Sequence, residues 1–182
     1  MEITETLSAP DRGVWRAWLE ANHARASEIW LLLYNKSSGK GGLSYLHAVE
    51  EALCFGWIDG IAKKVDDERM AQRFTPRRPK SNWTELNKER ARRLIASGLM
   101  TDAGRAILPD LSTDSFRIAD DITAALQADA QTWENFQNFP DYYQRIRIAF
   151  IEEMRKQPAE FEKRLQNFLQ KTRQNKQFRV LE

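Results

Sequence analysis

The residues best suited to chemistry lie between Trp57 and Trp83. They are Trp57 and Asp59 in GWIDG, Lys63, and the cations of RFTPRRPKSNW, namely Arg73, Arg77, Arg78 and Lys80. Arginine makes planar, two-pronged contacts with carboxylate or phosphate, and a tryptophan face can stack on a ligand or a cation. Pro76 and Pro79 bracket the arginine pair, and so stiffened a segment has little entropy left to lose on binding. The combination suits an anionic ligand, such as a nucleotide or an acidic peptide. The candidate binding set is Trp57, Asp59, Lys63, Arg73, Arg77, Arg78 and Trp83. A structural reading uses the same residues: Asp59 pairs with an arginine and locks a hairpin to a helix, while the other cations are solvated.

Other reactive side chains are sparse. Cys54 is the single cysteine and has no activating neighbour in sequence, so it reads as a small apolar residue. With only His23 and His47 beside it, no zinc set is formed. Glu50-Glu51, Asp120-Asp121 and Glu152-Glu153 are consecutive pairs whose members point to different helix faces, so none is a local acid/base dyad. SSGKGGLS lacks the spacing of a phosphate loop, although a glycine loop before a helix N-terminus could still hold an anion. No catalytic residue, metal ligand or cofactor is predicted.

The elements that position the cluster can be read from period and punctuation. Val14, Trp15, Trp18 and Leu19 form a helical stripe within 11–24, and the apolar run Ile29–Tyr34 reads as a buried strand. Ser44 caps a helix reaching about Phe55. Ile61, Lys63 and Val65, then Met70, Gln72 and Phe74, alternate on either side of Asp66-Asp67-Glu68, which predicts a β-hairpin over about 60–75. Hairpin pairing would set Lys63 opposite Gln72 and leave Asp59 and Arg77 near the open end. The apolar face then contains Lys63 and Gln72, a conflict of the kind found at functional sites or protected sheet edges. The prolines end the strand, and Asn82 with Glu85 has the spacing of a capping box for a helix ending at Ser97-Gly98. A short helix starts at Thr101. Three further helical stripes follow: Ile118/Ile122/Leu126, Tyr143/Ile146/Phe150/Met154 and Phe161/Leu165/Phe168/Leu169.

The fold class predicted is α+β: a helix-rich N-terminal domain over 1–110 with a small antiparallel sheet, then a three-helix unit over 111–182. The chain has 182 residues, 42% hydrophobic and 30% charged, as in globular proteins. The net charge of +2 conceals segregation: residues 60–93 carry 11 basic and 5 acidic side chains, whereas 94–140 carry 2 and 7. A local positive field of this kind attracts anions or faces the protein's own acidic segment. No apolar run is long enough to span a membrane. MEITETLSAPDRG is not a secretory signal, and with the lone cysteine this leads to the expectation of a cytoplasmic protein.

Four stretches in order, EIWLLLYNK, AVEEALCFGWIDG, RFTPRRPKSNW and LNKERARRLIASGLMTDAG, resemble the YdeI/OmpD-associated, or bacteriocin-protection, family. The resemblance is strongest over about 12–108 and weaker in the tail, where MRKQPAEFEKRL departs from the family's basic pattern. It implies a role in tolerance of bacteriocins or cationic antimicrobial peptides, with an outer-membrane porin association, and it carries over no catalytic residue. The leading expectation is a non-enzymatic stress protein binding an anionic small molecule or a protein partner. One alternative is an enzyme with an Arg/Asp/Trp pocket for a phosphorylated or carboxylated substrate. The other, nucleic-acid binding, is disfavoured because no recognised motif accompanies the basic segment.

Overall fold

The computed structural model describes residues 2–181 and is α+β, with strands in the N-terminal half and helices alone in the C-terminal region. It divides into two compact units: residues up to Asn82 with Arg90–Pro109, and Trp83–Glu89 with the residues from Asp110 on.

In the first unit, β1 (Thr6–Ser8), α1 (Arg12–Asn22) and β2 (Ile29–Tyr34) precede a 3-10 turn and α2 (Tyr45–Cys54). The hairpin strands β3 (Trp57–Lys64) and β4 (Arg69–Pro76) follow, then α3 (Glu85–Ala96) and the short α4 (Asp102–Arg105). The four described strands form one sheet in the order β1-β2-β4-β3. The sheet is mixed rather than wholly antiparallel, because β1 runs parallel to β2 and α1 makes the crossover. β1 has three residues, too few for an alternating pattern to show in sequence. β2 and β4 lie inside the sheet, which accounts for the unbroken apolar run of β2. Trp15 and Leu19 of α1 are fully buried. Trp15 stacks on Trp18, centroids 5.4 Å apart, and meets Phe74 of β4 at 5.3 Å, while its indole N–H donates to Ala48 O (3.0 Å). Burying one such ring contributes on the order of 1.5–3 kcal/mol. Glu51 of α2, only 2% exposed, receives Arg12 Nε and, at 2.8 Å, Arg16 Nη1.

The hairpin lies where it was predicted, with a changed register. A bulge falls between Asp59 and Ala62, so Lys63 stands opposite Ala71 and Ala62 opposite Gln72. A one-residue slip exchanges the faces of a strand. Ile61 and Val65 therefore point to solvent, at 47% and 41% exposed, while Gln72 is buried. The Gln72 amide donates to Gly60 O within the bulge (2.8 Å), which explains a polar residue in an apolar pattern. The cap of α3 also moves: Thr84 Oγ1 accepts from the Asn87 N–H (3.2 Å), and the helix starts three residues after Asn82. Ser44 caps α2 as read, accepting from the His47 N–H at 3.2 Å.

In the second unit the tail holds four helices where three stripes were read: α5 (Asp120–Gln127), α6 (Ala130–Asn138), α7 (Asp141–Glu152) and α8 (Pro158–Arg173). α6 escapes the stripe pattern because its buried face is partly polar, comprising Thr132, Asn135 and Phe136. Asn135 Nδ2 donates to Thr172 O on α8 at 2.9 Å. The core gathers Ile122, Leu126, Phe136, Tyr143, Ile151 and Phe168.

Candidate functional site

Tyr45 follows the Ser44 cap directly, and its hydroxyl donates to Asp59 Oδ2 at 2.5 Å. Asp59 pairs with Phe74 across the hairpin, immediately before the bulge. Beyond the last rung, Trp57 with Pro76, the Arg77 N–H donates to Gly56 O at 2.9 Å. The Arg77 side chain lies inward. It is 7% exposed, and Nη1 reaches Ser81 Oγ at 3.4 Å and Asn82 O at 3.3 Å. Burial lowers its pKa, and the Asp59 carboxylate opposes the shift. Arg90 of α3 is a second such guanidinium: burial lowers its pKa, against the pull of Tyr45, Glu50 and Asp59. Both arginines remain cations throughout the working range. Burial, with the Asp59 hydrogen bond adding to it, raises the Tyr45 phenol well above the ordinary tyrosine value. Tyr45 thus keeps its proton at neutral pH. Tyr45, Asp59, Arg77 and Arg90 form one electrostatically linked group, with the Tyr45 phenol held as a donor to Asp59.

The remaining predicted site residues are dispersed. The Trp57 ring is 1% exposed, its N–H donates to His23 O (3.1 Å) and its edge meets Trp18 at 5.7 Å, so no face is open for stacking. Lys63 sets Nζ 5.9 Å from the centroid of the Trp30 ring. Arg73 Nε donates to Glu28 Oε2 at 2.8 Å, tying β4 to the segment before β2. Trp83 groups with the second unit. Arg78 and Lys80 are exposed on the turn that Arg77 closes from beneath, with the Arg78 carbonyl accepting from the Ser81 N–H (3.1 Å) and Lys80 at φ 60°. A left-handed lysine costs about 1–2 kcal/mol. Lys40 of the glycine loop is paired with Glu68 at 2.6 Å. Among the described residues no group of three or more His, Cys, Asp or Glu could hold a metal ion, and no helix is long and apolar enough to cross a membrane.

Residues 7–107, the stretch that carries this cluster, match the family described as a domain of unknown function, DUF8412. The chain belongs to that family. Beyond the DUF8412 domain, residues 115–175 match the family described as Bacteriocin-protection, YdeI or OmpD-Associated. The bacteriocin-protection match therefore lies in the helical tail, where the resemblance was expected to be weaker, and it includes the divergent MRKQPAEFEKRL stretch. No curated protein and no solved structure matches the chain.

Within the DUF8412 domain, sequence reasoning passed over Tyr45 and Arg90. Neither has a neighbour in sequence that hints at Asp59, which is 14 residues from Tyr45. The available signal was positional: a residue immediately after a cap sits at the mouth of its helix, and Arg90 lies in the 60–93 segment, with its 11 basic and 5 acidic side chains.

Proposed function

We propose that this chain is a non-catalytic, cytoplasmic binding protein that acts in tolerance of bacteriocins or other cationic antimicrobial peptides. It engages an acidic partner through the turn that carries Arg78 and Lys80. The observation that carries this reading is the division of roles within the arginine pair. Arg77 is buried and bonds the turn from below, whereas Arg78 and Lys80 are exposed on it. A cationic pair on a pre-shaped turn is ordered before binding, so association costs less entropy. The bacteriocin-protection match over 115–175 supports the biological setting. The enzyme alternative draws less support, since Trp57 is closed off and Tyr45 holds its proton.

The test compares wild type with R78E/K80E by fluorescence anisotropy, using a labelled hexaglutamate peptide and a nonspecific DNA duplex at two salt concentrations. The variant should bind the peptide roughly tenfold or more weakly, with an unchanged melting midpoint and steep salt sensitivity in wild type. A strain expressing only the variant should become as sensitive to cationic peptides as one lacking the protein. Equal peptide binding by the two proteins defeats the proposal. Preferential binding of the duplex redirects it to nucleic acid.

A further inference from the structure

Two arginines of α7, two residues apart, meet different fates. Arg145 faces Glu85 and Glu89, at 3.6 and 3.4 Å. Arg147 is 8% exposed, and its buried Nε has no hydrogen-bond partner. Among the described residues Arg147 meets aromatic faces in place of carboxylates: Phe178 at 4.0 Å, Phe150 at 4.7 Å and Phe168 at 5.9 Å from its guanidinium carbon. Two of those rings are shared with other cations. Arg164 stacks on Phe150 at 3.7 Å and Lys171 on Phe178 at 4.2 Å. Three cations thus crowd two rings. An aromatic face attracts a cation but offers no lone pairs to the five N–H donors of a guanidinium. Nε is sealed from solvent, whereas the terminal Nη groups, also without a hydrogen bond among the described residues, are the ones that can receive an acceptor.

Space for one exists. Arg147 lines a cavity of about 230 Å³ whose walls include Leu86, Ile146, Phe150 and Val180. The wall carboxylates are already engaged: Glu85 with Arg145 and Lys88, and Glu153 with Arg164 at 4.0 Å. The tail wall is anchored, since the Phe178 N–H donates to the Tyr143 hydroxyl at 3.1 Å. We infer that this cavity binds a small organic carboxylate, held two-pronged by Arg147 with its apolar body against Leu86, Ile146 and Val180. The chemistry follows from the lining: the planar fork matches a carboxylate, and the apolar walls exclude a fully hydrated ion such as free phosphate. The size also limits the ligand, because drug-sized sites occupy about 300–1,000 Å³. Burial lowers the Arg147 pKa and Arg164 adds to the effect, so a bound anion relieves both penalties. The site lies wholly in the second unit and does not depend on the Arg78/Lys80 turn.

The probe is benzoate, titrated into the full chain and followed by amide NMR shifts at residues 146–150 and 178–180. Benzamide serves as the uncharged isostere, and chloride at matched ionic strength as the anion control. Saturable benzoate shifts, with benzamide about tenfold weaker or worse, are expected for loss of one charge-assisted contact. R147M should abolish the saturable benzoate response. R147K, which retains the stem and the charge but not the fork, should weaken it several-fold, and it reads the site if R147M does not fold. A benzoate response no different from benzamide or chloride, or benzoate affinity unchanged in R147M or R147K, overturns the inference and leaves Arg147 a packing cation.

Discussion

Cys54 is fully buried at the end of α2. Burial, with the Glu51 charge adding to it, pushes its thiol pKa up to about 11, against the opposing pull of Arg16. A thiol in that state is inert, as its lack of an activating neighbour in sequence suggested. The raised value also has a sign. The folded state holds the proton more tightly than the unfolded chain, whose thiol titrates near pH ~8.5. The stabilisation is therefore complete below that value and is lost as the pH rises toward 11. Urea midpoints measured across this window should fall for wild type, and more shallowly for C54A. Parallel curves for the two proteins contradict the assignment. Tyr45 is also raised, so the difference between wild type and C54A is what isolates Cys54. Adjacent residues of one type, Arg77 and Arg78, have opposite exposures: the Arg77 side chain lies inward, where Ser81 Oγ and Asn82 O accept from it, and Arg78 is exposed.

At the scale of elements, α4 has four residues and stability of its own is not available to so short a helix. It is held by the C-terminus of α2. The Thr101 N–H and hydroxyl both donate to Cys54 O, at 3.2 and 2.5 Å, and Thr101 Oγ1 accepts from the Gly104 N–H at 3.3 Å. Gly104 permits the approach: a Cβ there would overlap Cys54 O and the Met100 sulfur. G104A should lower stability by about 1–3 kcal/mol, the range for overpacking a close contact, as read from denaturant midpoints. An unchanged midpoint would mean that α4 moves aside freely. The hairpin is the converse case. Its strands and turn follow from local alternation, whereas the bulge between Asp59 and Ala62 sets which residues face inward. The Gln72 side chain then bonds the Gly60 carbonyl that the bulge frees.

For the whole molecule, the two units each have a core, one around Trp15, Trp30, Trp57 and Phe74, the other around Ile122, Phe136, Tyr143 and Phe168. We expect the two cores to open as separate cooperative units. Asn135, 8% exposed, ties α6 to α8 through Thr172 O and Arg173 O, at 2.9 and 3.1 Å. N135A should cost about 1–3 kcal/mol, as for buried groups left unsatisfied. The loss should be confined to its own unit: in native-state hydrogen exchange, amides of α6 to α8 quicken while those of β2 and β4 do not. Equal acceleration in the sheet shows one cooperative unit instead.

The α+β class, the hairpin at about 60–75, the Ser44 cap and the helical tail were legible in the sequence, since each rests on signals a few residues apart: period, turn chemistry and caps. Four features were decided by tertiary structure. They are the parallel β1, the burial of Trp57, the polar-faced α6, and the meeting of Tyr45, Asp59, Arg77 and Arg90. The reason is range. A charged or aromatic side chain turns inward when partners distant in sequence satisfy it there, as Gly56 does for the Arg77 backbone, His23 for the Trp57 indole and Thr172 for Asn135. No local pattern records those partners.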